Sequence, residues 1–235
     1  MDVIQAQRDH YQKIARDYDD RYNRQNSNHF YKIDQIADAV ARNLKVSPGG
    51  FDVLELGGGT GIHAQRFLQR GLPGLRSFTL SDLSSEMLEQ ARKKLGEYPV
   101  NYLVSPAEFI STSEMFDAIY VSGAMHHFSD PRKSIESMRE RLRPDGVVVI
   151  CEPIVWNPVN FVKAAIDRLE WGQFRVTRNN IGKLLQETGF NVRESRVLHW
   201  RGPNRMANVL WPHERLETIE LLNPLAVMFL LVARK

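Results

Sequence analysis

The stretch Val53-Leu54-Glu55-Leu56-Gly57-Gly58-Gly59-Thr60-Gly61 constrains this chain more than any other. A run of strand-forming apolar residues ends in an acid and then in four glycines within five positions. Glycine costs chain entropy and is used where a backbone must turn tightly or come close to something. The segment GIHAQRFLQRG follows and reads as a short helix closed by Gly71. A strand, a glycine turn and a helix place free backbone N–H groups and a helix N-terminus at one spot, which suits a polar or anionic ligand. In an open α/β sheet that spot lies at the carboxyl ends of the strands. The spacing is E-x-G-x-G-x-G, not the G-x-G-x-x-G of dinucleotide sites. An acid two residues before the glycines would be repelled by a pyrophosphate but would favour a cationic group.

The alternation continues. RSFTLSD, VNYLVS, FDAIYVSG and VVVICE read as strands, the last apolar enough to be buried on both faces. Between them, Ser84 caps SEMLEQARKKLG, and Asp130 with Pro131 opens PRKSIESMRERLR. Strands alternating with helices predict a parallel sheet covered on both sides. Residues 3–22 carry Tyr11, Ile14, Ala15, Tyr18 and Tyr22 at helical spacing, and a second helix is expected from about Phe30 to Leu44. After Glu152 the pattern turns irregular and rich in Pro, Trp and Phe. It resumes as a helix at IGKLLQETGF, a strand near NVRESRVLH, a helix at HERLETIELL and a last strand, AVMFLLVAR. The chain divides into an N-terminal helical lid (1–46), a ligand-binding core (47–153), a cap insertion (154–180) and a C-terminal part of the same sheet (181–235), one domain overall.

Composition excludes several classes. With 43% hydrophobic and 25% charged residues over 235 positions, the chain can bury a core without disulfides. Its one cysteine, Cys151, sits in an apolar run and reads as a buried thiol, which suits a reducing cytoplasm. The N-terminus is charged throughout, unlike a signal peptide, and no apolar run reaches the roughly 18–20 residues that span a bilayer. A net charge of +3 does not imply nucleic acid. The basic excess gathers at Arg175, Arg178, Lys183, Arg193, Arg196, Arg201 and Arg205, which reads as solvated surface or as a face toward an anionic acceptor.

Four segments in register, VLELGGGTG, LSDLSSEML, FDAIYVSGAMHHFSD and LRPDGVVVICEP, resemble the class I S-adenosylmethionine-dependent methyltransferases, in particular their small-molecule branch. The resemblance covers residues 50–155. It implies a Rossmann-like fold with a seven-stranded, mostly parallel sheet, an antiparallel last strand, lid helices and a helical insertion after the fifth strand. It also implies S-adenosylmethionine as cofactor and S-adenosylhomocysteine as product. Gly57, Gly58, Gly59, Thr60 and Gly61 are then the loop under the methionine part, and Glu55 sits beneath it, near the amino group. Asp82 holds the ribose hydroxyls, Leu83 and Met87 pack near adenine, Ser122 and Gly123 offer backbone to the amine, and Tyr18 caps the cofactor. Where the family commonly has an acid for the adenine amine, this chain has Pro106, which leaves Ala107 and Glu108 for that role.

Methyl transfer from a sulfonium needs alignment, exclusion of water and, for a protonated acceptor, a base. His126 and His127 are the expected base candidates, with Glu152, Tyr11 and His10 behind them. Trp156, Phe161, Trp171 and Phe174 are candidates for an acceptor pocket, for an aromatic or anionic small molecule. No metal-ligand spacing is evident. The expected activity is methyl transfer to oxygen or nitrogen of a small molecule, in secondary or glycoconjugate metabolism. RNA or protein methylation is the alternative within the enzyme class, though the segment SGAMHHF lacks the Asp/Asn-Pro-Pro-aromatic motif of the amino-base enzymes. A non-catalytic cofactor-binding regulator is the alternative outside it.

Overall fold

The computed structural model describes residues 3–22, 27–45, 48–199 and 226–235. Among them are the strands β1 (Phe51–Leu56), β2 (Leu75–Asp82), β3 (Val100–Val104), β4 (Phe116–Ser122), β5 (Leu142–Pro153), β6 (Asn191–Leu198) and β7 (Met228–Arg234). The helices are α1 (Val3–Ile14), α2 (Tyr18–Tyr22), α3 (Ser27–Asn43), α4 (Ile62–Gln69), α5 (Ser85–Lys94), α6 (Pro131–Arg141), α7 (Pro158–Ile166) and α8 (Arg178–Glu187). Two 3-10 segments, Met125–His127 and Arg168–Phe174, complete the described structure.

The strands form one sheet in the order β3-β2-β1-β4-β5-β7-β6. The pairs from β3 through to β5 are parallel, and β7 runs antiparallel to both neighbours. Strand order reverses between β1 and β4, which opens a crevice at their carboxyl ends. β1 is buried at every position and β4 at all but one, as expected of strands covered on both faces. One face packs Ile36, Val40, Phe67, Phe78, Tyr120 and Leu230 under α3, α4 and α5. The other packs Phe116, Ile135, Met138, Ile181 and Leu185 under α6 and α8.

Local signals act where expected. Ser84 Oγ accepts the Met87 N–H at 3.2 Å, and Asp130 accepts the N–H groups of Arg132 and Lys133. The stripe over residues 3–22 is not one helix. It breaks at Ala15–Asp17, where Ala15 is buried, and restarts as α2. No proline or glycine marks this break; packing of α2 onto the glycine loop overrides helix propensity. α3 begins three residues earlier than the expected Phe30. The insertion after β5 is more regular than its sequence implies, because Asn157 and Asp167 each cap a helical segment. The helix expected at HERLETIELL, and Arg201 and Arg205, lie outside the described residues.

Candidate active site

β1 delivers the glycine loop and β2 delivers Asp82 to the same crevice. Gly59 has φ +53°, and a Cβ there would meet nothing within 4 Å, so its backbone faces open space. Its N–H donates to Asp82 Oδ2 at 2.8 Å, while Ser84 N–H donates to Oδ1 at 2.9 Å. Burial pushes the Asp82 carboxyl up, and backbone N–H groups of Ser84, Gly59 and Leu83 hold it back. A carboxylate offers about four acceptor sites, so one beside the cavity retains capacity for hydroxyl donors.

A cavity at this point is lined by Tyr18, Gly57, Gly59, Asp82, Leu83, Met87, Ala107, Glu108, Gly123 and His127, all on the sequence-derived set. Pro106 lines it too, as expected from the sequence, which has proline where the resembled family commonly has an adenine-binding acid. Glu108 Oε1 is occupied by Ser129, through its N–H and its hydroxyl, each at 2.6 Å. Gln7 and Phe128 also line the cavity. Sequence reasoning missed both, although Phe128 directly follows the histidine pair.

The remaining sequence-derived residues support this cavity from behind. Glu55 is buried under the loop, accepts the Tyr120 hydroxyl at 2.8 Å, and is pushed by burial to about 8. Gly58 packs on Leu80 and donates to the Ser81 carbonyl. Gly61, at φ +78°, is the N-cap of α4, and a Cβ there would press on Ala91 and Leu95. Thr60 donates to Asp19 Oδ1, and Lys94 bonds the same carboxylate, so α2 is pinned to the loop and to α5. Ser122 is buried in β4, and the Gly123 N–H is taken by the Cys151 carbonyl at 2.8 Å. Burial pushes the Cys151 thiol to about 12, so it stays protonated and inert.

The histidines lie on the 3-10 turn after β4 and differ in environment. His126 Nδ1 is 2.6 Å from Glu152 Oε2, and its Nε2 is 3.2 Å from Glu170 Oε2. The other Glu152 oxygen accepts the Ala124 and Met125 N–H groups, both at 2.8 Å. Burial opposes charge on His126, but Glu152 and Glu170 overcome it and lift its pKa to about 9. With an acid on each nitrogen, His126 is an imidazolium near neutral pH. Burial also works to raise Glu170, yet bonds from His126 and Lys163, the latter at 2.6 Å, hold it well below the carboxylate range. His127 is the opposite case. Burial, helped by the charge on His126, brings it down to about 3, while the nearby Leu169 backbone works weakly the other way. It is a neutral imidazole with an accepting nitrogen left over.

His127, Tyr11, Tyr18 and Gly123 line a second cavity as well, shared with Lys32, His63, Lys163, His126 and Glu170. Tyr11 meets His127 edge-on at 5.7 Å, and Gln7 bonds the His127 carbonyl. The two cavities therefore share the wall formed by Tyr11, Tyr18, Gly123 and His127. His10 lies in the second cavity, and Glu152 reaches it only through His126. His126, His127 and Glu170 bring ligand atoms within 4.8 Å of one another, a spacing open to a metal ion. Lys163 and Glu152 already engage two of that trio, Glu170 and His126.

Sequence reasoning missed Glu170, Lys163 and Gln173. They sit in an insertion without periodicity, and only folding brings them to β5. The aromatic candidates behave differently from expectation. Trp156, Phe161 and Phe174 pack on one another with ring centroids 6.1–6.3 Å apart and remain exposed. Trp171 lines a surface cavity beside the histidines, and Trp156 one beside Arg178. Of the basic group, Arg175 donates to the Phe128 and Ser129 carbonyls, and Arg196 pairs with Glu194.

Residues 53–146 match the family model described as methyltransferase domain. Among curated proteins, a lovastatin nonaketide synthase of Monascus pilosus is 32% identical over 108 residues, 43% of this chain and 4% of that protein. A non-reducing polyketide synthase of Emericella nidulans is 34% identical over 125 residues, 51% of this chain and 5% of that protein. The chain thus spans about one twentieth of the length of these relatives. Among solved structures, the N-methyltransferase NodS of Bradyrhizobium japonicum, in complex with S-adenosylhomocysteine, superposes with a TM-score of 0.66 at 18% identity, covering 96% of this chain and 97% of that one. The carbon methyltransferase CurJ gives 0.63 at 20% identity, covering 88% of this chain and 53% of that one.

Proposed function

We propose that the protein transfers a methyl group from S-adenosylmethionine to an oxygen or nitrogen of a small-molecule acceptor, a reading supported by the match of residues 53–146 to a methyltransferase-domain model. The observation that carries this reading is the junction of two cavities at Tyr11, Tyr18, Gly123 and His127. The cofactor belongs to the cavity of Gly59 and Asp82, and the acceptor to that of His126, Lys163 and Glu170.

When bound, S-adenosylmethionine supplies an electrophilic methyl group on a sulfonium. Asp82 would accept its ribose hydroxyls, and Gly59 would let the loop backbone approach it. Leu83, Met87 and Pro106 flank the adenine side, while Tyr11 and Tyr18 keep water from the junction. In the acceptor cavity the imidazolium of His126 and the ammonium of Lys163 favour an acceptor that has lost a proton. His127, neutral and open at one nitrogen, accepts a hydrogen bond from the acceptor and orients it; burial leaves it too weak a base to hold the proton, so the two cations draw acceptors that arrive deprotonated. Glu152 acts through His126, holding its ring and its charge. The single buried thiol is compatible with work in the cytoplasm, and among the described residues no helix is long and apolar enough to cross a membrane.

A second reading, transfer to carbon, is favoured by the polyketide synthases among the relatives and by the carbon methyltransferase among the structural neighbours. Incubation with methyl-13C S-adenosylmethionine and separate phenol, amine and β-dicarbonyl acceptors distinguishes the two, because the carbon shift of the new methyl reports the atom attached. The proposal expects O- or N-methyl signals, reduced on the order of 10²-fold in rate in His127→Ala. Methyl signals only on carbon would favour the second reading. No transfer to any small acceptor by a protein that binds the cofactor would contradict both.

A further inference from the structure

Lys32 projects from α3 to the carboxyl end of β4. Its Nζ lies 3.6 Å from the place a Cβ on Gly123 would occupy. It lines the second cavity beside Gly123, Tyr18 and His63. Among the described residues no hydrogen bond or ion pair engages its ammonium. Burial lowers its pKa, although three acidic groups lie close enough to favour its charge. Each of those is already satisfied or neutral. Glu55 holds the Tyr120 hydroxyl, Glu152 holds His126 with two backbone N–H groups, and Cys151 remains a thiol. A buried lysine amine with no partner among the described residues is a costly arrangement, and an anionic ligand beside it would restore its charge.

Gly123 fixes which ligand. It lines both cavities, so a molecule lying along Gly57 and Gly59 and continuing past Gly123 ends at Lys32. The cofactor of the reading above ends in an amino acid, with one ammonium and one carboxylate. Of these, the carboxylate complements a lysine. We propose that Lys32 binds the α-carboxylate of the methionine moiety, at the edge where the cofactor cavity meets the acceptor cavity. This assignment rests on the methyltransferase reading and adds a charged contact that the glycine loop and Asp82 do not provide.

Two probes separate the assignment from its premise. S-Adenosylhomocysteine carries the amino acid, and 5′-methylthioadenosine is the same thioether nucleoside without it. Calorimetric titrations of both into wild type, Lys32→Met and Lys32→Arg read the contact directly. The expected result is that Lys32→Met weakens S-adenosylhomocysteine by about tenfold or more and leaves 5′-methylthioadenosine within about twofold, with much of the loss restored in Lys32→Arg. Retained nucleoside binding also shows that the variant is folded. Equal weakening of both probes, or none, would overturn the assignment; unaltered binding would leave Lys32 to an acid on the acceptor. Wild type that binds neither probe would overturn the premise itself.

Discussion

His126 is bonded to an acid through each ring nitrogen, so its charge is tied to the folded state. Its folded pKa, about 9, lies above the 6.5 of a free imidazole. The stabilisation is therefore fully present below about pH 6.5 and is lost as pH rises through about 9. The difference is worth at most about 3 kcal/mol. The groups that face it are Glu152, Glu170, Lys163 and His127. Thermal unfolding of wild type and His126→Gln between pH 6 and 10 checks this, with a stability gap that narrows steeply above pH 8. A constant gap would mean that His126 is folded in its neutral form. Removing only its carboxylate partner, as in Glu152→Gln, leaves a buried cation half-paired and is expected to cost about 3–5 kcal/mol, read by chemical denaturation. Gly172 supports the same cluster from the insertion side, since a Cβ there would run into the His126 carbonyl oxygen. Gly172→Ala should destabilise the protein by about 1–3 kcal/mol and displace Glu170, visible as a lower Tm. At this scale the sequence exposed the histidine pair and Glu152 but not their division of labour. Adjacent histidines differ in protonation because the 3-10 turn aims His126 at Glu152 and leaves His127 buried beside that charge without an acid bonded to it. Glu170 carries no motif that would have singled it out.

Elements held by few contacts set the access to the site. α2 has five residues, too few to form a helix alone in water. It stays in place through Asp19, which receives Thr60 and Lys94. Asp19→Asn should loosen α2 while changing global stability by no more than about 1 kcal/mol, because the ion pair is partly exposed. Limited proteolysis should then cut near residues 15–20 faster than in wild type, and S-adenosylhomocysteine should protect less. An unchanged cleavage rate would show that α2 is held by Tyr18 packing alone. The N-terminal stripe of Tyr11, Ile14, Ala15 and Tyr18 was readable as helical, but its break was not, since the cause is a carboxylate meeting a distant loop. Helix starts were readable where a single residue acts as cap. Ser84 and Asp130 both cap as their sequence predicts.

Among the described residues, one crevice collects side chains from the N-terminal helices, four strand ends and the segment after β5. The parallel core was legible because alternating apolar runs and capped helices leave little choice of fold, and because β1, β4 and β5 are buried throughout most of their length. The antiparallel sense of β7 was implied only by the family resemblance, and its place between β5 and β6 was not foreseen, since register between distant strands leaves no local mark. The second cavity was legible least. Its residues come from α1, α3, α4, the 3-10 turn and the insertion, and nothing but packing assembles them. The account stands or falls on the first cavity holding the cofactor at Asp82. Calorimetric titration with S-adenosylhomocysteine of wild type and Asp82→Ala tests this most directly. Loss of two hydrogen bonds to a charged acceptor predicts an affinity lower by about 10²-fold or more in the variant, with an unchanged fold by circular dichroism. Equal affinity in the two proteins, or no binding by wild type, would contradict it.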